Sequence, residues 1–176
     1  MKIAHVAPLY ESVPPKFYGG TERVVYFLAE ELQSLGHQVT LFASGDSTFS
    51  GELISHLPHA IGLNPSVQDL LFHYFIQMKM LIEEIDRFDL VHFHTDYLYF
   101  PVMELINTPH VTTLHGRLDI PDLQHIYDAF PEAPVVSISN AQRVPIPMAK
   151  WMGTVQHGIP TSLFSPGEGK GGYVAF

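Results

Sequence analysis

Histidines recur where a polar group at the end of an apolar run can meet a ligand. His92-x-His94-x-Asp96 follows Leu90-Val91, His115-Gly116 follows Val111-Thr112-Thr113-Leu114, and His157-Gly158 follows Thr154-Val155-Gln156. An imidazole in such a place donates to a substrate oxygen or a phosphate, or holds a proton near neutral pH. His115 is the leading catalytic candidate, because Gly116 lets the chain turn sharply just after it. His92 and His94 fall on one face of a strand, a spacing that also suits a metal ion. A hydrolytic metal site asks for more ligands than His115 adds, and Asp96 lies beyond the strand end. A hydrolase built on His92, His94 and Asp96 therefore ranks behind a reading in which His92 packs within the fold, His94 faces a cleft and no metal is held. His5, His37, His56, His59, His73, His110 and His125 read as surface or packing residues.

A second chemical signal is Phe17-Tyr18-Gly19-Gly20-Thr21-Glu22-Arg23, between a short apolar run at Ile3–Ala7 and a long amphipathic stretch. Strand, glycine-bearing loop and helix start together point backbone N–H groups at an anion, and the helix dipole adds to them. The segment is neither G-x-G-x-x-G nor a P-loop. Taken alone it reads more simply as a turn feeding an N-cap at Thr21. Other strand exits carry Ser44 with Asp46, Arg117, and Ser139-Asn140 with Arg143. Arg117 and Arg143 could pair with phosphate, although an exposed ion pair is the commoner fate of an arginine.

Positioning these groups needs alternating strands and helices. Strands are expected at Ile3–Ala7, Val39–Ala43, Leu53–Leu57, Leu90–His94, His110–Leu114, Val135–Ile138 and Thr154–Gln156. Helices are expected from Thr21 to Leu35 with Gly36 closing it, from Asn64 and Pro65 to Ile85, over Leu98–Leu105 and over Pro121–Phe130. The aromatic and methionine stripe Tyr74, Phe75 and Met78 reads as core. Alternation of this kind implies parallel pairing with right-handed crossovers. The expected class is α/β: a Rossmann-like, doubly wound, mostly parallel sheet with helices on both faces. In such sheets ligands bind outside the carboxyl ends of the strands, where the histidines and glycines fall.

The 176 residues suit one domain with its own core, and an apolar content of 46% argues against disorder. There is no cysteine, so no disulfide framework and no thiolate metal site. A net charge of −9 disfavours nucleic acid or an acidic membrane surface as the main partner. No run approaches the roughly 20 apolar residues of a membrane span. The start reads without a signal peptide, and the expected location is cytoplasmic.

The order of motifs resembles nucleotide-sugar glycosyltransferases of the GT-B fold, family 4 type. Gly19-Gly20-Thr21-Glu22-Arg23-Val24-Val25 with Leu35-Gly36-His37-Gln38-Val39-Thr40-Leu41-Phe42 is similar to that family's opening. Phe88-Asp89-Leu90-Val91-His92-Phe93-His94 resembles its Asp-x-x-His-x-His strand, and Thr108 to Gly116 its strand ending in His-Gly. Val136-Ser137-Ile138-Ser139-Asn140-Ala141-Gln142-Arg143 resembles the following strand and turn. Val155 to Pro160 with Phe164-Ser165-Pro166 resembles the crossover between domains.

The resemblance implies two Rossmann-like domains across a cleft and transfer of a sugar from a nucleotide to an acceptor with retention of configuration, without metal or other cofactor. By motif match, His115 would lie near the transferred sugar and Gly19 and Gly20 near the donor phosphates. Thr21, His94, Asp96, Ser139, Asn140 and Arg143 are further cleft candidates. Residues 1–164 would form the acceptor-side domain, 165–172 a linker, and 173–176 the first strand of a donor-binding domain otherwise missing or held by a second chain. The expected partners are a nucleotide sugar and an acceptor. Alone the chain is expected to be inactive, and to self-associate through a cleft wall bearing Phe17, Tyr18, Tyr97 and Tyr99. A stand-alone nucleotide- or sugar-binding module is the alternative.

Overall fold

Alternating apolar residues at Ile3–Val6 and Leu90–Phe93 lie on adjacent strands at the centre of a parallel sheet. The computed structural model describes residues 1–62, 64 and 66–163. Its strands are β1 (Lys2–Val6), β2 (Gln38–Phe42), β3 (Glu52–Ile54), β4 (Leu90–Phe93), β5 (His110–Thr113), β6 (Val135–Ser137) and β7 (Trp151–Thr154). They form one sheet in the order β3-β2-β1-β4-β5-β6-β7, every neighbouring pair parallel. The order reverses between β1 and β4, where a doubly wound sheet opens a crevice at its carboxyl edge.

The helices are α1 (Gly20–Ser34), α2 (Leu71–Glu84), α3 (Phe100–Met103) and α4 (Leu123–Ala129). Register separates the two faces of the sheet. Ala4, Val6, Phe42, Val91, Phe93 and Leu114 point to one side and pack with Leu81 of α2, Phe100 and Met103 of α3 and Tyr127 of α4. Leu41 points to the other side and joins Val25 of α1, with Ala7, Val13 and Ala43. Helices thus lie on both faces, as the alternation requires. On the α1 side, Ile3 pairs with Leu90 and His5 with His92, while His94 follows on the same face.

Two polar side chains tie this frame together. Gln77, buried on α2, donates from Nε2 to the carbonyls of Ala7 and Phe42, both at 3.1 Å, and accepts from the Tyr99 hydroxyl at 2.7 Å. Gln142 donates from Nε2 to the carbonyls of Leu114 (2.9 Å) and Gly116 (2.7 Å), and accepts the Ile138 N–H at 2.8 Å. The turns leaving β5 and β6 are thereby held to one another.

Several boundaries differ from the sequence expectation. α2 begins at Leu71, not at Asn64. Asn64 instead accepts from the Ser66 N–H at 3.1 Å, and Asp69, ahead of the helix, accepts the Leu71 N–H at 2.8 Å. Pro65, expected at the first helical position, lies outside the described residues, as does the expected strand from Tyr173. Phe75 was expected in the core and is 57% exposed, while Tyr74 and Met78 do pack against the core. β3 lies at Glu52–Ile54 rather than reaching Leu57. The last strand is Trp151–Thr154, upstream of Thr154–Gln156. Leu98–Leu105 divides into a 3-10 turn, Asp96–Tyr99, and the short α3.

Candidate active site

Register brings to one place histidines that are far apart in sequence. His5 Nδ1 lies 3.0 Å from His94 Nε2, His94 Nδ1 lies 2.9 Å from His115 Nε2, and His115 Nδ1 lies 3.0 Å from His157 Nε2. Four imidazoles therefore form a hydrogen-bonded row from the buried middle of β1 to the exposed segment after β7. Each bond needs one protonated and one bare nitrogen, so the row is satisfied when every ring carries its proton on the same type of nitrogen. His92 stands beside the row, its Nε2 2.8 Å from the Thr113 hydroxyl and its ring centre 4.1 Å from that of His94.

Burial keeps these rings neutral. His5 and His94 titrate well below the usual imidazole range, first through loss of hydration and then through neighbouring imidazoles. Desolvation takes His92 down to about 4, and desolvation followed by the nearby His157 and His92 takes His115 down to about 3. At neutral pH His115 is thus a neutral hydrogen-bonding group rather than a cationic acid.

The row forms one end of a cavity of about 620 Å³ on the open part of the α1 face. Val24, Phe27, Leu28 and Leu32 of α1 wall one side, Leu90, Val111 and Val136 form the floor, and residues 155–160 close the other side. The wall is apolar almost everywhere except at the histidines, a pattern suited to a ligand with an apolar body and a few oriented polar atoms.

The glycine loop takes a separate position. Gly19 caps α1 at φ +149°, a conformation that disfavours a side chain, and a Cβ there would stand 2.7 Å from Pro15 Cβ. Gly20 opens the helix with nothing within 4 Å of the place a Cβ would occupy. Thr21 provides no side-chain cap, and Glu22 lies buried behind it. The Glu22 carboxyl lies against the loop, its Oε2 3.0 Å from where a Cβ on Gly19 would stand, and its pKa is raised, chiefly by desolvation. The loop expected to cradle an anion is thus flanked by a carboxyl group.

Of the residues singled out by sequence, His94 and His115 line the cavity, with His5, His92 and His157. Gly19, Gly20, Thr21, Asp96, Ser139, Asn140 and Arg143 do not. Asp96 adopts φ 50° and lies half-buried beside the His115–Gly116 turn; burial raises its pKa. Ser139 Oγ accepts the Gln142 N–H at 3.1 Å, and Asn140 Oδ1 accepts from Thr154 Oγ1 at 3.1 Å. The Arg143 guanidinium stacks 5.2 Å from the centre of the Trp151 ring, and Arg117 is paired with Asp119 at 2.7 and 2.9 Å. Tyr99, expected on the cleft wall, is fully buried in the core, whereas Phe17 and Tyr18 are exposed.

Sequence reasoning missed His5, Glu22 and Gln142. His5 had one available signal: a polar residue where a buried parallel strand ordinarily carries an aliphatic one. Its partners become visible only when β1 and β4 are set in register. The group His5, His92 and His94 also places ring nitrogens close enough for a metal ion, without Asp96.

Comparison with known proteins identifies the family and the fold. The sequence profile of Glycosyltransferase Family 4 matches residues 18–146, more than half of the chain. No curated protein sequence matches. Among solved structures, AviGT4, a glycosyltransferase involved in avilamycin A biosynthesis, is 23% identical with a TM-score of 0.63 over 94% of this chain and 44% of its own. A glycosyltransferase from Rickettsia africae is 19% identical, with a TM-score of 0.55 over 86% of this chain and 42% of its own. Sucrose-phosphate synthase from Thermosynechococcus elongatus is 16% identical, with a TM-score of 0.55 over 89% and 47%. The chain thus spans under half the length of these three proteins, and its fold is that of one Rossmann-like half of a GT-B enzyme. With the profile covering residues 18–146, and with them the glycine loop, His94 and His115, the chain belongs to Glycosyltransferase Family 4.

Proposed function

We propose that this chain forms the acceptor-side half of a retaining glycosyltransferase, which moves a sugar from a nucleotide-sugar donor to an acceptor. The observation that carries the reading is His115 at the carboxyl end of β5, neutral, opening onto the cavity and held by the turn that Gln142 braces. A neutral imidazole there orients a hydroxyl of the transferred sugar; it need not transfer a proton. Gly20 leaves room for a donor phosphate to approach the first N–H groups of α1. The transfer asks for no cofactor beyond the donor.

A second α/β domain, from the rest of a longer protein or another chain, would hold the nucleotide. The coverage of the three solved structures supports this division. The chain alone is then without appreciable turnover. Phe17 and Tyr18 add exposed apolar surface that favours association between copies.

The test assays transfer from a panel of nucleotide sugars, using this chain alone and joined to a donor-binding domain. Transfer with retained anomeric configuration is expected only in the joined form, and His115→Ala should lower it about a hundredfold or more. Transfer with inversion, or full activity after that substitution, overturns the reading.

A further inference from the structure

Three imidazoles lie side by side on one face of the two central strands. Parallel pairing sets His5 opposite His92, and His94 follows two residues on, along the same face. One ring nitrogen from each lies within 4.8 Å of those of the other two. One pleat earlier the same face carries Ile3 and Leu90, the residue types expected in a buried parallel sheet. His5 Nε2 is buried with no hydrogen-bond partner, an arrangement that costs about 1–3 kcal/mol unless something else binds there.

The remaining hydrogen bonds leave suitable donor atoms. His92 commits Nε2 to Thr113, which leaves Nδ1 to bind an ion. His94 commits Nδ1 to His115, and its Nε2, now 3.0 Å from His5 Nδ1, would exchange that hydrogen bond for the ion, with the shared proton released to solvent or moved to the far nitrogen of His5. Two nitrogens on a tetrahedral ion with ordinary zinc–nitrogen bonds stand about 3.3 Å apart. The widest gap in the group must close by up to about 1.5 Å to reach that spacing, a side-chain adjustment. Thr113 and His115 are the outer partners that orient a metal-bound imidazole through its second nitrogen.

We propose that His5, His92 and His94 form a tri-histidine site for a late first-row divalent cation, zinc above all, with its fourth position facing the cavity. Three imidazole nitrogens suit zinc, copper and nickel rather than magnesium or calcium. With three neutral ligands, the ion's charge is best met by hydroxide or an anionic oxygen in the fourth position. The cavity wall includes all three histidines and gives the ion a way in. The site goes beyond the sugar transfer proposed above. Its ion would fix His94, and through it His115, without touching the transferred sugar.

Cobalt(II) serves as a visible probe, and the test needs no enzymatic activity. Chelator-treated chain is titrated with Co²⁺ by absorption spectroscopy and calorimetry, followed by Zn²⁺ competition. One Co²⁺ per chain is expected, with the intense visible bands of a four- or five-coordinate ion, displaced by zinc. His5→Gln and His92→Gln should each weaken binding about tenfold or more, while His73→Gln, in the separate His56–His73 pair, leaves it unchanged. Absence of one-to-one binding, or undiminished binding in both His5→Gln and His92→Gln, overturns the proposal. Nitrogen-15 spectra of the unsubstituted protein give a reading independent of variant folding. Zinc must shift ring nitrogens of His5, His92 and His94, and unmoved resonances there refute the site.

Discussion

At the residue scale, the glycine pair separates into two different requirements. Gly19 is fixed by backbone conformation and by Pro15, so Gly19→Ala should destabilise the chain by about 1–3 kcal/mol in chemical denaturation. Gly20 meets nothing, and Gly20→Ala should leave stability unchanged or raise it by about 0.4–1 kcal/mol. Gly20→Val would then lower transfer in the joined enzyme while the chain still folds. The histidines make a second prediction. His5, His92, His94 and His115 have folded-state pKa values below the unfolded value of about 6.5. The unfolded chain therefore binds more protons at mildly acidic pH, and metal-free protein should hold its full stability above about pH 6.5. Stability should fall as the pH drops from there toward about 4 and 3, where His92 and His115 protonate in the fold. His92 alone accounts for on the order of 3 kcal/mol. Thermal melts between pH 7.5 and 4.5 measure this, and a flat profile contradicts it.

At the scale of elements, the turns after β5 and β6 act as one unit because Gln142 bonds both. Gln142→Ala removes three hydrogen bonds and should cost about 1–3 kcal/mol in denaturation, with faster amide exchange at Ile138. The existence and order of β1, β2, β4, β5 and β6 were legible in the sequence, since short apolar runs between turn residues carry a local signal. The start of α2 was not. Asn64-Pro65 has the chemistry of a helix start, yet Asn64 spends its side chain on a local turn and the helix begins seven residues later, at Leu71. β7 lies upstream of the apolar signal at Thr154–Gln156 because Gly153 interrupts its own pattern and pairing with β6 fixes its place. The site was legible as single residues and not as an assembly. His94 and His115 stood out by their place at strand ends, whereas the row that joins them to His5 depends on non-local register.

At the scale of the molecule, the sheet is covered unevenly. The face packed by α2, α3 and α4 holds the main core, while on the other face α1 leaves a cavity over β4, β5 and β6. The reversal between β1 and β4 sets that cavity beside the carboxyl edge, so the strand-end chemistry and the least covered surface coincide. Among the described residues, no helix is long and apolar enough to cross a membrane.

Trp151 is the chain's single tryptophan, and it sits on the outermost strand. Its indole N–H donates to the Ile146 carbonyl at 3.0 Å while Arg143 stacks on its face. Tryptophan fluorescence, excited beyond the absorption of the eight tyrosines, is therefore a report from the β6–β7 margin rather than from the buried histidines of β1 and β4. If that margin frays before the centre, emission should shift at lower denaturant than the far-ultraviolet helical signal. Coincident curves would show instead that the margin and the centre melt as one cooperative unit.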